Sequence, residues 1–401
     1  MSRRGRNETA AMALLLAVFG CEKSATAPAP SVIGSVSAGL THTCALTTDG
    51  SAFCWGGNRY GQLGTGSSDT LAHPMPARVA GGLRFSTISA GERHTCALTI
   101  AGSAWCWGNG SSGALGTGDT LTRMTPTAVA GGIAFASISA GAGGVGVGAH
   151  TCALTAGGVA YCWGNGVYGQ LGGGTNTSSV APAAVSGGLM FTSVSAGETH
   201  TCGVAGGAAY CWGFNAHGAL GAGAPSSSVY APSPVSGGLS FATVRAGFRY
   251  TCALTAVGAA YCWGLNQYGQ IGALTPNSCL GFSDDVFPCS VTPLAVQGAP
   301  AMASVFAGSV HTCALTPGGQ AYCWGANESG QLGDGTITQQ RPAPASVPGG
   351  LVFNQLTLGG HHTCGLTTGG AMYCWGDNSS GQLGDGSTNG RSVPMPVALA
   401  P

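Results

Sequence analysis

The chain has 401 residues, with 72 glycines and only 6% charged residues, split evenly at 13 basic and 13 acidic. Charge this sparse offers no cationic track for nucleic acid and no field to steer a charged partner from a distance. Glycine does not recur at every third position, which excludes collagen.

The N-terminal stretch reads MSRRGRNETAAMALLLAVFGC. Arg3, Arg4 and Arg6 precede an apolar run from Ala10 to Phe19. That run is too short to span a bilayer as a helix and has the length of a signal-peptide core. It ends in VFGC, which resembles a bacterial lipoprotein signal, in which the cysteine is lipidated and becomes the new N-terminus. The resemblance implies a signal peptide over residues 1–20, lipidation of Cys21, and an exported envelope protein at the outer membrane or cell surface. Membrane contact would then come from the lipid alone. EKSATAPAPS follows and reads as a flexible tether reaching residue 31.

From residue 42 a motif repeats. HTCALTTDGSAFCWG returns six times with small changes, and the first cysteines are Cys44, Cys96, Cys152, Cys202, Cys252, Cys313 and Cys364. A period near fifty residues fixes the architecture before anything else, because a repeat buries its apolar face only against neighbours. Each copy holds two Thr- and aromatic-rich runs around a Gly turn, the signature of a β-hairpin. Folding the first copy about Asp49 sets Cys44 opposite Cys54, within disulfide range. The fourth copy has a turn one residue shorter, and Cys202 and Cys211 still fall opposite each other about Gly206-Gly207. The spacing therefore predicts Cys44–Cys54, Cys96–Cys106, Cys152–Cys162, Cys202–Cys211, Cys252–Cys262, Cys313–Cys323 and Cys364–Cys374. Cys279 and Cys289 remain as an eighth pair. Evenly paired cysteines suit an exported chain.

A metal reading competes at His42, Cys44 and Cys54. The fifth copy argues against it: Tyr250 replaces the histidine while Cys252 and Cys262 stay. No metal or other cofactor is expected. The repeated His42, His94, His150, His200, His311 and His362 read instead as buried hydrogen-bonding groups that brace the loop before them.

A full unit parses into four strands: a (FSTIS type), b (HTCALT), c (AWCWG) and d (Pro126–Val129, Pro182–Val185, Pro232–Val235, Pro293–Val296). Four short antiparallel strands repeated seven times predict an all-β, seven-bladed propeller over residues 32–401. Ring closure is expected through a clasp in which Pro394 to Leu399 pairs with a strand near the N-terminus.

The AGxxH loop, the ALTxxGxxYxWG hairpin and NxxGQLG (NRYGQLG, NQYGQIG, NESGQLG, NSSGQLG) resemble the repeat of the regulator of chromosome condensation family. That family's fold is a seven-bladed propeller. Its intracellular eukaryotic members are guanine nucleotide exchange factors, and a secreted bacterial branch includes a propeller-type β-lactamase inhibitor.

Strand direction places the a–b and c–d loops at one end of the ring and the b–c turns at the other. Variable residues concentrate at the first end. Arg59, Tyr60, Arg93, Tyr168, His217, Phe248, Arg249 and Tyr268 should share one rim in exposed turns, and Tyr and Arg are favoured anchor types at interfaces. No Gly-x-Ser-x-Gly elbow, His-Glu-x-x-His or phosphate loop is present, so no catalytic residues are assigned and no enzyme is expected. Ser283 to Asp285 reads as a solvated loop tip. The expected role is a monomeric scaffold binding a protein or glycan. The alternatives are an inhibitor of an extracytoplasmic enzyme and, by family analogy, a nucleotide exchange factor.

Overall fold

The computed structural model describes Met1 and residues 32–141, 149–224, 226–280 and 286–398. The leader after Met1, Cys21, the whole tether to residue 31, residues 142–148 of the third repeat's a–b insertion and Ser283 to Asp285 lie outside the described residues. The remainder forms the expected seven-bladed propeller. In blade 1, strand a is Ile33–Ala38, b is His42–Thr47, c is Ala52–Gly57 and d is Ala72–Arg78. Every sheet keeps this order, with all neighbours antiparallel. Strand a lines the central channel. Strand d starts earlier than its Pro-x-x-Val motif suggests; in blade 4 it covers Ser226–Pro234.

The hairpins follow from the repeat's own chemistry. Cys44 faces Cys54 in register, and so does each corresponding pair. All eight predicted disulfides are present. In blade 4, Gly206 and Gly207 take φ of 58° and 81°, as a two-residue hairpin turn needs. The eighth bridge belongs to a short extra strand, Asn277–Leu280, which gives blade 5 five strands. There Cys279 faces Phe287, so the bridge runs diagonally across the pair.

The apolar core lies between blades. Cys44, Leu46 and Leu63 of blade 1 pack against Phe85, Ile88 and Trp107 of blade 2. Val36 and Trp55 of blade 1 pack against Leu366, Met372 and Leu383 of blade 7 in the same way. The seven Trp residues of the CWG motif are all fully buried.

A polar clamp crosses each blade seam. At the first, Thr95 Oγ1 and Trp107 Nε1 both donate to the Gln62 carbonyl, at 3.0 and 2.9 Å. Thr95 has thereby used its one hydrogen, so His42 Nε2 must donate to it, at 2.9 Å. His42 is fixed as the neutral Nε2–H tautomer. This corrects the role expected for the histidine. Its ring does pack on Gly39 of the preceding loop, but its hydrogen bond reaches the next blade. Tyr250 does the same work differently: its hydroxyl donates to the His311 carbonyl at 2.6 Å and accepts from the Gly308 N–H at 3.1 Å.

The AG loops add a ring of close glycine contacts. A Cβ on Gly91 would lie 2.7 Å from the Gly141 carbonyl oxygen, and one on Gly39 would lie 2.2 Å from that of Gly91. No side chain fits at such distances.

Among the described residues the expected clasp is not formed. Strand d of blade 7, Arg391–Pro396, pairs with its own strand c, Met372–Gly376, and blade 1 holds all four of its own strands. Side chains and loop backbone close the ring instead: the Gly360, His73 and Gly386 N–H groups donate to the Leu40, Ser380 and Pro74 carbonyls at 3.1, 3.2 and 3.0 Å. His362 Nε2 lies 3.0 Å from Thr43 Oγ1, and Thr43 and Trp55 donate to the Gln382 carbonyl at 2.8 and 3.0 Å. Gln355 pairs with the Val36 backbone through both halves of its amide, at 3.4 and 2.8 Å. The last seam repeats the His–Thr–carbonyl clamp of the first and adds the Gln355 contact, so it is held without a strand exchange.

Candidate interaction face

The sparse charge is not spread evenly. Among the described charged residues, only Asp49, Arg78, Arg84 and Arg245 lie outside the a–b and c–d connections and the first two residues of the strands that follow them. The NxxGQLG segments build this face from within. Asn58 Oδ1 accepts from the Leu63 N–H at 3.3 Å, and Gln62 Oε1 accepts from the Tyr60 N–H at 2.9 Å. The last glycine, Gly64, has φ of 69°, and a Cβ there would meet Trp107 Nε1 at 2.7 Å.

The predicted rim residues gather into two groups. In the first, the guanidinium groups of Arg59 and Arg93 lie 5.7 and 5.1 Å from the Tyr60 ring centre. Arg93 Nε is 3.0 Å from Glu92 Oε1. A cleft of about 370 Å³ opens here, lined by Leu40, Tyr60, Asp69, Leu71, Glu92 and Arg93. In the second group, Tyr168 stacks near Phe214 at 4.9 Å, and Phe214 meets His217 at 5.9 Å. Arg249 lies over Phe248 at 5.0 Å and grips Glu198 of the preceding blade, Nε to Oε2 at 2.7 Å. Tyr268 belongs to neither contact set; its N–H donates to Gln270 Oε1 at 2.9 Å.

Exposure differs from the expectation of open turns. Arg59 is exposed, but Tyr60, Tyr168, Tyr268, Phe248, Arg93 and Arg249 are half-buried and His217 is buried. Tyr60 lies against Arg93 of the next blade's loop and Tyr168 against Phe214, contacts that take apolar area out of water. Burial pushes the His217 pKa down to about 4, helped by the Arg249 charge. His217 is thus a neutral packing group.

Two carboxylates were missed from the sequence. Glu92 and Glu198 are buried in a–b loops flanking blade 3. Burial pushes the Glu92 carboxyl up to about 7, against the pull of Arg93 and with added repulsion from Glu198. Burial also raises Glu198, opposed by its Arg249 hydrogen bond. The Glu-Arg and Glu-Thr dipeptides at the AGxx position were the available signal.

The family model described as Regulator of chromosome condensation (RCC1) repeat matches residues 49–98, 101–154, 157–204, 206–254, 258–315, 318–366 and 369–401. The chain belongs to the RCC1 repeat family. Most of these matches take strands c and d from one blade and a and b from the next, so the sequence unit straddles the structural seam. The ultraviolet-B receptor UVR8 of Arabidopsis thaliana is 33% identical over 366 residues, covering 90% of this chain and 69% of that protein. The human E3 ubiquitin-protein ligase HERC2 is 31% identical over 90% of this chain, which spans only 6% of HERC2. Among solved structures, Prp20p of Saccharomyces cerevisiae matches with a TM-score of 0.70 at 22% identity, covering 82% of this chain and 80% of Prp20p. Human WBSCR16 matches with a TM-score of 0.75 at 20% identity, over 87% and 94% of the respective chains.

Proposed function

We propose that the protein is an envelope-anchored interaction scaffold that grips a protein partner through the face of a–b and c–d loops. The observation that carries this reading is the convergence of charge and aromatic side chains on one face of an otherwise nearly uncharged ring. A rigid scaffold with Tyr and Arg on its loops is a common binding design. Prp20p, similar in fold, is described with binding properties to Gsp1p and histones. Membrane attachment through lipidated Cys21 rests on the basic leader, the short apolar run and VFGC.

Affinity capture from the host envelope tests the binding face. Wild type should retain a partner that the triple variant Tyr60→Ala, Tyr168→Ala, Tyr268→Ala releases, while Arg84→Ala on the opposite face keeps it. Equal retention by all three would move the function off this face. A captured enzyme that loses activity when bound would specify the scaffold as an inhibitor; a glycan eluting in place of a protein would replace the partner class. Mass spectrometry of the mature N-terminus should show an acylated Cys21, and an intact Met1 on a cytosolic protein would remove the anchor.

A further inference from the structure

The inner strand of each blade has a free edge facing the channel, and edge N–H groups need acceptors. The preceding blade supplies one in most cases. Ser37 Oγ accepts from the Ala90 N–H at 2.9 Å, Ser89 from Ala140 at 2.9 Å, Ser139 from Ala196 at 3.0 Å, and Ser195 from Ala246 at 3.0 Å. Thr357 Oγ1 accepts from the Ala38 N–H at 2.8 Å across the closing seam.

Two consecutive blades break this pattern. Arg245 and Phe306 stand where the others carry a hydroxyl, in the strands TVRA and SVFA. The edge N–H groups that follow, of Ala307 and Leu358, therefore receive no hydroxyl acceptor from the preceding blade. The Arg245 side chain makes no ion pair or hydrogen bond among the described residues. It lines a channel cavity of about 390 Å³ together with Ala307, Leu358, Ser193 and Ser195, and no Asp or Glu contributes to the wall. Ser193 Oγ is buried there without a partner. Ser195 accepts from Ala246, which leaves its own hydrogen available. Burial lowers the guanidinium pKa, the mark of a cation taken from water without a counter-charge.

A guanidinium cannot shed its proton under ordinary conditions. The wall thus offers a fixed positive charge, two unused backbone donors and several hydroxyls, Ser193 and Ser195 among them, with no acceptor charge. We propose that the channel binds a small oxyanion at Arg245, held also by the N–H groups of Ala307 and Leu358 and by Ser193 and Ser195. Sulfate, phosphate and a carboxylate share the necessary chemistry. Strand a runs toward the loop face, and the cavity extends back to Thr192, near the start of its strand, so it reaches toward the b–c turn face; Ser195, Ala307 and Leu358 also line a cavity at the AG-loop end of the channel. The site is separate from the partner face and does not depend on it.

The test uses the whole mature chain and three probes: sodium sulfate, sodium phosphate and sodium acetate, titrated calorimetrically at ionic strength matched with sodium chloride. Wild type should show saturable binding of at least one probe in the millimolar range. Saturation by sulfate or phosphate alone assigns a free tetrahedral oxyanion; saturation by acetate as well assigns a carboxylate, including one on an acidic peptide. Arg245→Ser restores the hydroxyl that other blades carry, so it should fold with an unchanged or higher melting temperature. It should weaken binding about tenfold or more, as loss of a charge-assisted bond requires. Arg245→Lys should keep part of the affinity. Phe306→Ser, which gives Leu358 an acceptor, should weaken binding several-fold. No saturable binding by wild type, or equal binding by wild type and Arg245→Ser, would overturn the proposal.

Discussion

His362 in the last blade and Thr43 in the first lie 3.0 Å apart, Nε2 to Oγ1, and join the two ends of the chain with the hydrogen bond used inside the ring. His42 and Thr95 make the same contact at 2.9 Å between blades 1 and 2. The closing seam should therefore cost as much to break as an internal one. Thr43→Val and Thr95→Val each remove a buried acceptor and strand a histidine N–H, worth about 1–3 kcal/mol. Calorimetric melting should show similar drops for the two variants. A large drop for Thr95→Val with none for Thr43→Val would mean that the ring closes by other means.

The glycine ring gives a graded prediction. A Cβ on Gly39 would lie 2.2 Å from the Gly91 carbonyl oxygen, whereas on Gly308 the nearest atom is 3.0 Å away. Gly39→Ala should be far more destabilising than Gly308→Ala. Equal melting temperatures for the two would contradict the packing described.

Acid should weaken the fold. Burial holds His42, His94, His150, His200, His311 and His362 neutral, with pKa values pushed down to about 3 or 4 from 6.5. Between pH 6.5 and about 4 the unfolded chain takes up protons that the folded chain refuses. Stability is fully present above pH 6.5 and falls as the pH drops through that window. Melting temperatures across that range should decline steadily, and a flat profile would rule out a neutral histidine ring.

Glu92 works in the opposite direction. Its folded pKa, raised to about 7, means that stability is lost as pH rises from about 4.5 to 7. Glu92→Gln should raise the melting temperature at pH 8, with a smaller gain at pH 5. A variant less stable than wild type at pH 8 would show that the Arg93 contact outweighs the burial of charge.

The hairpin disulfides each close a loop of about eleven residues, worth roughly 2–3 kcal/mol in the chain-entropy model. Replacing Cys44 and Cys54 together by Ala should lower stability by about that amount. Peptide mapping without reduction should link each repeat's own two cysteines, and Cys279 to Cys289. Links between repeats would contradict the register observed.

The amino-acid sequence by itself determined the blades. Seven copies, two runs per hairpin and paired cysteines leave one antiparallel register, because local spacing alone decides which residues face each other. Cys202 and Cys211 show this, since the shorter turn and the pairing change together. The gathering of Tyr60, Arg93 and Arg249 on one face was also legible, because strand direction sorts loops by end. What happens between blades was not legible. Whether His42 reaches its own loop or Thr95 of the next blade depends on how sheets about fifty residues apart in sequence are set together. The exposure of Tyr60 and His217, the burial of Glu92 and the closure through Gln355 depend on the same packing. The position of Arg245 became meaningful only in the ring, where seven inner edges meet around one channel and a missing hydroxyl in one blade leaves a neighbour's N–H open.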